Sequence, residues 1–305
     1  MKRALVVVAA LGCGSHDAPP IPPPVTIPAP HKTAPPIAVV APPPVLPKHV
    51  VIISEDGMRP DVLTFLDAPH HVALMKEGAV ASHAETIPES DTLPSHASML
   101  SGVGARAHGL WWNSYHSDRG YIHVPTIFSA AHAAHLTTAM IVGKPKLEHI
   151  AAPGTVDHFE RPSYLCGGVA KRAAEYITEK KPDLLFVHFS DPDEYGHSHG
   201  WMSKEYLLAV HHSDDCLATV LAAIDPATTL VIVTADHGGH GTRHSDGHAT
   251  VDRDIPWIVR GPGVTAGMTL DASIETVDTA ATTLAALGLP ALPHMIGSSR
   301  VTYTR

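Results

Sequence analysis

The chain reads Leu-Val-Ile-Val-Thr-Ala-Asp-His-Gly over residues 230–238, and this stretch decides the fold. Its apolar run, Leu230–Val233, is typical of a strand that is buried on both faces of a parallel sheet. An acid and an imidazole, Asp236 and His237, follow directly behind it. Ligands of open α/β proteins bind beyond the carboxyl ends of such strands. The stretch therefore predicts a parallel sheet that presents metal-binding side chains at one edge.

The same arrangement occurs twice nearer the N-terminus. The run His49–Ile53 leads into Ser54-Glu55-Asp56-Gly57, and the run Leu184–Phe189 leads into the block Asp191–His197. Because the carboxyl ends of parallel strands meet at one edge of a sheet, we expect these polar blocks to lie close together.

Beyond these blocks, short β-rich runs alternate with segments of helical pattern and with helix start and stop signals. This alternation predicts an α/β fold with a mostly parallel central sheet and helices on both faces. The predicted strands are 50–53, 137–142, 184–189, 230–233 and 257–259, and the predicted helices are 60–66, 94–100, 124–135, 168–179, 203–224 and 276–287.

The residue types in the blocks indicate a particular chemistry. Carboxylates and imidazoles together suit a divalent metal, and Zn²⁺ accepts such mixed oxygen and nitrogen ligands. The block Asp91–His96 adds a hydroxyl residue, Thr92, in front of a helix that we expect to begin at Pro94. Acids, imidazoles and one activated hydroxyl are the groups that two-metal phosphoryl transfer requires.

The size and charge of the chain limit its function. Its 305 residues are enough for one large α/β domain. A net charge of -9 and scattered Lys and Arg residues argue against nucleic acid as a partner, since phosphate-backbone binding needs a basic surface. A small phosphoester is the partner that the blocks favour.

The first 47 residues predict targeting rather than fold. Residues 1–18 contain a basic start, a short apolar run and Cys13, and they resemble a bacterial lipoprotein signal with Cys13 as the lipidated residue. Residues 19–47 are rich in proline and predict an extended tether, so that the catalytic domain spans 48–305. We expect a lipid anchor in the bacterial cell envelope, at the outer membrane or periplasm, and a secreted protein is the alternative.

Cys166 and Cys216 are the two remaining cysteines. In an oxidising envelope they would be able to pair. Two small buried core residues are an equal alternative.

From the first predicted strand to Pro262, the ordered blocks resemble the alkaline phosphatase superfamily, in its nucleotide pyrophosphatase/phosphodiesterase, or type I phosphodiesterase, branch. Thr92 in Thr-Leu-Pro-Ser-His resembles the nucleophile of that family, and Asn113 falls where the family binds a phosphoryl oxygen. The resemblance assigns metal ligation to Asp56, Asp193, His197, Asp236, His237 and His244, the last having His248 and His240 as rivals. Only a short link joins His237 to His244, so the larger insert of nucleotide-specific members is missing.

The resemblance implies a phosphodiesterase or phosphatase with two divalent metal ions, and Zn²⁺ suits the donor set. One ion would be held by Asp193, His197 and His244, and the other by Asp56, Asp236, His237 and the Thr92 oxygen. Thr92 would form a covalent phospho-threonine intermediate. Lys144 and Lys146 would contact the phosphate, which favours monoesters, or would be ordinary loop lysines.

Two alternatives remain at this point. One is an envelope zinc-binding pseudoenzyme without chemistry, and the other is a sulfatase-like hydrolase. A sulfatase needs a Cys or Ser two residues before the proline and an Arg after it, whereas Pro94 is followed here by Ser95 and His96. The preference between monoesters and diesters stays open.

Overall fold

A computed structural model of the chain describes residues 46–245 and 249–303. The predicted signal (1–18) and all but the last two residues of the predicted tether (19–47) lie outside the described residues. Within the described ranges, no helix has both the length and the apolar character needed to cross a bilayer.

The described residues form one eight-stranded sheet and a separate two-stranded sheet. In chain order the strands are β1 (His49–Glu55), β2 (Ala79–Ala81), β3 (Ala84–Glu85), β4 (Thr138–Val142), β5 (His158–Glu160), β6 (Leu184–Phe189), β7 (Thr229–Thr234), β8 (Trp257–Arg260), β9 (Met268–Leu270) and β10 (Ile274–Glu275). The large sheet has the order β5-β4-β6-β1-β7-β8-β2-β9, and β3 pairs with β10. The strand β8 is antiparallel to both neighbours, and the other pairings are parallel.

The centre of the sheet consists of β6, β1 and β7, as the apolar runs predict. Val51 in β1 lies opposite Leu185 in β6 and Val231 in β7, and these side chains are buried. Strands covered on both faces have no solvent side, which is why their sequences are nearly continuous in Val, Ile and Leu.

The helices are α1 (Pro69–Glu77), α2 (Thr92–Ser101), α3 (Ala105–His108), α4 (Ile127–Ala133), α5 (Cys166–Lys180), α6 (Asp191–His199), α7 (Lys204–Leu221) and α8 (Asp278–Ala286). They pack in two groups, with α1, α5 and α6 against α7 and with α2 and α4 against α8. Both α4 and α5 contact β4, which places helices on both faces of the sheet. The predicted α/β fold with a mostly parallel sheet is therefore confirmed.

Several element bounds differ from the predicted ones. The helix α2 begins at Thr92 instead of Pro94, because a proline inside the first turn is tolerated where backbone N–H groups have no intrahelical partner. The segment predicted as a helix over 60–66 is a 3₁₀ helix, Pro60–Thr64. The helix α4 begins at Ile127 because Thr126 and Ser129 form a reciprocal capping box there.

A disulfide joins Cys166, the first residue of α5, to Cys216 in α7 across a sequence separation of 50 residues. Both residues are buried. The bond therefore connects two helices that pack side by side, one turn away from the start of α6.

We expect reduction of this disulfide to lower the free energy of unfolding by about 2–4 kcal/mol, because opening a loop of this length restores chain entropy to the unfolded state. Urea unfolding with and without a thiol reductant measures the change. The double variant Cys166→Ser/Cys216→Ser is the control and should not respond to the reductant. An unchanged wild-type midpoint under reduction would show that the bond contributes nothing.

Candidate functional site

The carboxyl ends of β1, β6 and β7 bring the polar blocks together. The backbone N–H of Asp56 donates to the carbonyl of Phe189 at 2.9 Å, which holds the end of β1 against the end of β6. The helix α6 begins two residues after β6, and Asp236 lies two residues beyond β7. The sheet edge therefore gathers all three blocks, as the sequence predicts.

The predicted ligands lie in two groups. Within each group, one ligand atom from every residue lies within 4.8 Å of the others. The groups are Asp56, Asp236 and His237, and Asp193, His197 and His244. The rings of His237 and His244 stack with their centroids 3.7 Å apart, so that the two groups are neighbours.

Of the two rival ligands, His240 has another position. His240 Nδ1 lies 2.7 Å from the Asp252 carboxylate, outside both groups. His248 lies outside the described residues. The structure thus brings His244 into the cluster, and His244 Nδ1 donates to the carbonyl of Ser90 at 2.8 Å, which directs Nε2 towards Asp193.

Four buried polar atoms of this cluster make no hydrogen bond with any described residue. They are Asp56 Oδ1, Asp193 Oδ1, Asp236 Oδ2 and His237 Nε2. Buried carboxylate oxygens without partners are costly, and a divalent cation is the partner that carboxylate and imidazole atoms together suit. The residues present therefore fit a metal centre with mixed oxygen and nitrogen ligands.

Thr92 is the first residue of α2, a helix whose residues are all buried. His96, one turn later, connects it to the ligand cluster. Its Nδ1 donates to the carbonyl of Thr92 at 2.7 Å and lies 3.4 Å from Asp236 Oδ2, and its Nε2 accepts from the Ser54 hydroxyl at 2.8 Å. Burial lowers the pKa of His96 to about 4, so its neutral ring acts as a fixed spacer between Thr92 and Asp236.

Asn113 lies beside the start of α2. Its Oδ1 accepts from the backbone N–H of Leu93 at 3.1 Å and from Lys146 Nζ at 3.0 Å, and its Nδ2 donates to Asp91 at 3.3 Å. The structure thus brings the predicted residues Asn113 and Lys146 together next to Thr92.

Lys144, the other lysine considered for a phosphate contact, lies among the acidic ligand candidates. It is 3% exposed, and its ammonium group lies 2.7 Å from Asp56 Oδ2 and also contacts Asp193. Burial disfavours the charged forms of Lys144, Asp56 and Asp193, but the attraction between the ammonium and the two carboxylates outweighs this effect. The pKa of Lys144 is raised, and the pKa values of Asp56 and Asp193 are lowered. Lys144 therefore balances part of the negative charge between the two ligand groups.

The pKa values of the two stacked imidazoles are shifted in opposite directions. Burial disfavours the charged form of His237, but Asp236 and Asp56 raise the pKa of His237 to about 10. Burial and the neighbouring positive charge of His237 lower the pKa of His244 to about 3. One ring of the stack is thus cationic and the other neutral in the metal-free protein at neutral pH.

Gly57 allows the two ligand groups to approach each other. Its φ is +71°, and a Cβ at this position would lie 2.8 Å from the Cα of Asp193. The Gly57 carbonyl accepts from Trp201 Nε1 at 2.9 Å and from the Tyr206 hydroxyl at 3.0 Å. The edge of Trp201 also contacts the rings of His197 and His244. The sequence analysis missed Trp201 and Tyr206, because no local pattern connects them to residue 57.

His188 is a second residue that the sequence analysis missed. It is buried in β6, and its Nε2 lies 2.9 Å from Asp56 Oδ2. The available signal was an imidazole inside an otherwise apolar strand, since a buried polar side chain needs a partner.

Exposed aromatic side chains lie close in sequence to the phosphoryl-binding candidates. Trp111 and Tyr115, on either side of Asn113, are 52% and 44% exposed. Tyr164 is also exposed, and its hydroxyl donates to Glu194 in α6 at 3.0 Å. These side chains offer apolar surface near the site without closing it.

The fold is alkaline phosphatase-like, as the sequence predicts. The structure is similar to murine ectonucleotide pyrophosphatase/phosphodiesterase 5, with a TM-score of 0.69, 16% identity, and coverage of 81% of this chain and 96% of that one. It is also similar to a 2-O GAG sulfatase, with a TM-score of 0.68, 17% identity, and coverage of 84% and 73%. At these identities the likeness defines the fold alone.

Residues 50–258 match the family model "Type I phosphodiesterase / nucleotide pyrophosphatase", and the chain belongs to this family. Mouse bis(5'-adenosyl)-triphosphatase enpp4 is 24% identical over 214 residues, which cover 62% of this chain and 47% of that protein. Human ectonucleotide pyrophosphatase/phosphodiesterase family member 5 is 26% identical over 214 residues, 63% and 45% of the two chains. The chain thus spans about half the length of these curated relatives.

Proposed function

We propose that this protein hydrolyses phosphate esters with two bound divalent metal ions, of which Zn²⁺ fits the donors best, and with Thr92 as nucleophile. The observation that carries the proposal is the pair of ligand groups joined by the His237–His244 stack, with four buried atoms that make no hydrogen bond within the described residues. The family and the curated relatives support the reaction class.

Each ligand group would hold one of the two ions. Asp56, Asp236 and His237 would hold one ion, and Asp193, His197 and His244 the other. Bound metal at such a site supplies Lewis-acid stabilisation of the attacking and leaving oxygens of a phosphoryl transfer. The chain itself provides the orientation, because His188, Trp201 and the Ser90 carbonyl fix the ligand-bearing segments.

Thr92 would carry the covalent step. Its Oγ forms a bond to phosphorus as the ester P–O bond breaks, the threonine proton is lost to solvent, and the leaving alcohol takes up a proton. Water then cleaves the phospho-threonine and restores the hydroxyl. A threonine at the first position of a helix presents its hydroxyl beside the positive end of the helix dipole, which favours an anionic phosphoryl group there.

Asn113 and Lys146 would bind the phosphoryl oxygens. Their polar groups already meet 3.0 Å apart beside the N-terminus of α2. A lysine ammonium stabilises the second negative charge that a monoester carries and a diester lacks. The contact of Lys144 with the phosphate stays a prediction, since its ammonium is engaged by Asp56 and Asp193.

The leaving group would meet the exposed aromatic surface. Trp111 and Tyr115 offer flat faces on which an aryl or nucleoside group would stack. Few other groups are placed to bind the distant part of a substrate, so we propose broad selectivity among aryl and nucleotide esters. A metal-binding protein without catalysis would need neither Thr92 nor Asn113, which is why we favour an enzyme.

We further propose that the enzyme acts in the bacterial cell envelope, anchored through lipid on Cys13. The N-terminal sequence supports this location. The disulfide between Cys166 and Cys216 agrees with it, because disulfides persist in oxidising compartments.

Removal of metal should abolish hydrolysis of an aryl phosphate, and Zn²⁺ should restore it, because Thr92 has no other activating group. Elemental analysis should find two zinc ions per chain, and one in each of Asp236→Ala and His197→Ala. The control is His199→Ala, which alters an exposed histidine outside the ligand groups on α6, the helix of His197. This control should keep both ions. Full activity in a metal-free sample would rule out the proposal.

Thr92→Ala should lower kcat by at least about three orders of magnitude, roughly 4 kcal/mol of transition-state stabilisation, while zinc content stays unchanged. Thr92→Ser should keep part of the activity because it retains a hydroxyl. Mass spectrometry of acid-quenched enzyme should find the phosphoryl group on residue 92. A label on Ser90 or Ser95 instead would show that the nucleophile is misassigned.

Lys146→Ala should lower kcat/KM for an aryl phosphate monoester about 10- to 100-fold, the value of a charged hydrogen bond of about 1.5–3 kcal/mol. The loss for the bis-aryl diester should be smaller. Lys171→Ala, an exposed lysine of α5, is the control and should change neither rate. Equal losses on both esters would mean that Lys146 does not recognise the monoester charge.

A further inference from the structure

A buried network of charges lies behind the metal-ligand cluster, on the side of β1 away from Thr92. It consists of Glu55, the last residue of β1, His71 in α1, and Asp214 in α7, and all three are buried. His71 Nε2 lies 2.7 Å from Glu55 Oε2, and His71 Nδ1 lies 2.6 Å from Asp214 Oδ1. We call this set the Glu55–His71–Asp214 network.

The geometry defines the protonation state of His71. An ionised carboxylate only accepts hydrogen bonds, so a ring with a carboxylate at each nitrogen must donate from both, which makes it an imidazolium. Burial opposes this charge, but Glu55 and Asp214 raise the pKa of His71 to about 9. Both carboxylates have further donors, the Ser213 hydroxyl at 2.6 Å from Glu55 and two backbone N–H groups of α1 for Asp214.

Among the described residues, the ion pairs of His71 are those with Glu55 and Asp214. The strand β2 carries no charged residue, and from β8 Arg260 pairs with Glu77 at the far end of α1. His70 and His211, on α1 and α7, are exposed. Glu55 and Asp214 are therefore the groups that hold the imidazolium.

The network acts on the segment that presents Asp56. Glu55 immediately precedes Asp56, and the next residue, Gly57, accepts a hydrogen bond from Tyr206, which lies on α7 together with Ser213 and Asp214. The helix α7 therefore holds residues 55–57 by hydrogen bonds at two points, Glu55 and the Gly57 carbonyl. Loss of one of these points would let the Asp56-Gly57 turn shift relative to Asp193 and Asp236.

We propose that the Glu55–His71–Asp214 network is a positioning device for Asp56, in which protonated His71 fixes the end of β1 and its deprotonation at alkaline pH loosens the metal-ligand turn. The effect on zinc release rests on the proposed function. The movement of the Asp56-Gly57 turn does not rest on it, and the two are measured separately.

The sign of the pH dependence follows from the raised pKa of His71. The network contributes its full stability below the ordinary histidine pKa of about 6.5. The contribution falls as the pH rises through about 9. Metal ligands behave in the opposite way, because their deprotonation strengthens metal binding as the pH rises. An alkaline loosening is therefore distinguishable from titration of the ligands.

The test uses the double variant Glu55→Gln/Asp214→Asn, which keeps hydrogen-bonding groups at both positions and leaves His71 neutral. The control is Asp215→Asn, the same change on the exposed neighbour of Asp214. In metal-free protein the Gly57 amide also senses His237, because it donates to Asp236 at 3.2 Å and His237 lies beside that carboxylate. The ¹⁵N-glycine-labelled proteins for this measurement therefore all carry His237→Asn, and the Gly57 amide resonance should shift with a midpoint near pH 9 in the otherwise wild-type protein and in the control. The double variant should show no such shift.

The second measurement is the rate at which zinc is lost to a chelator at pH 7.5 and 9.5. The ratio of the wild-type release rate to the double-variant release rate should be at least tenfold higher at pH 9.5 than at pH 7.5. The control should behave like wild type. A pH-independent Gly57 resonance, or a constant ratio of zinc release rates, would overturn the proposal. A wild type that binds no zinc would reject the proposed function, while the Gly57 resonance would still decide whether the network moves the turn.

Discussion

Three carboxylates, Asp56, Asp193 and Asp236, are buried in one cluster at the edge of the sheet, and the rest of the structure depends on compensating their charge. Burial of an unpaired charge costs several kcal/mol. The protein compensates part of this cost with Lys144 against two of the acids and with His188 and His237 against Asp56. The oxygen and nitrogen atoms that still lack a hydrogen bond within the described residues are those that the proposed metal ions would meet.

This constraint explains why the site is built on rigid elements. Catalytic ligands need positions accurate to about half an ångström, and strands and helices provide this better than loops. Asp56, Asp236 and His237 lie one to three residues beyond β1 or β7, and Asp193 and His197 lie on α6; His244 is the one loop residue among these candidate ligands. Thr92 begins a helix whose residues are all buried. The side chains proposed to meet the leaving group differ, because Trp111 and Tyr115 are exposed loop residues. In the proposed function, rigid core elements would therefore hold the reacting groups, and surface loops would set the selectivity.

The helix α7 connects the core to the site although it carries none of the predicted ligands. Tyr206 supports the Gly57 carbonyl, Ser213 and Asp214 support Glu55 and His71, and Cys216 joins α5. Asp191, the first residue of α6, accepts from the backbone N–H of Cys166 and contacts His212 of α7. Supporting residues of this kind act through hydrogen bonds to residues one or two positions away from the ligands, and such contacts control how well a metal site is formed.

The sequence by itself determined the α/β class, the central strands and the set of candidate ligands. Apolar runs such as Leu230–Val233 report burial on both faces, and polar residues directly behind them must lie at the carboxyl edge. The resemblance of the motifs also predicted the two ligand groups and His244 as the last ligand. The packed fold was needed to show that Lys144 pairs with Asp56 and that His240 instead contacts Asp252. It also brought Trp201 to Gly57 across 144 residues and His71 to Asp214 across 143. The physical reason is that strand patterns are local, whereas compensation of a buried charge depends on whichever side chain the packed fold brings within hydrogen-bonding distance.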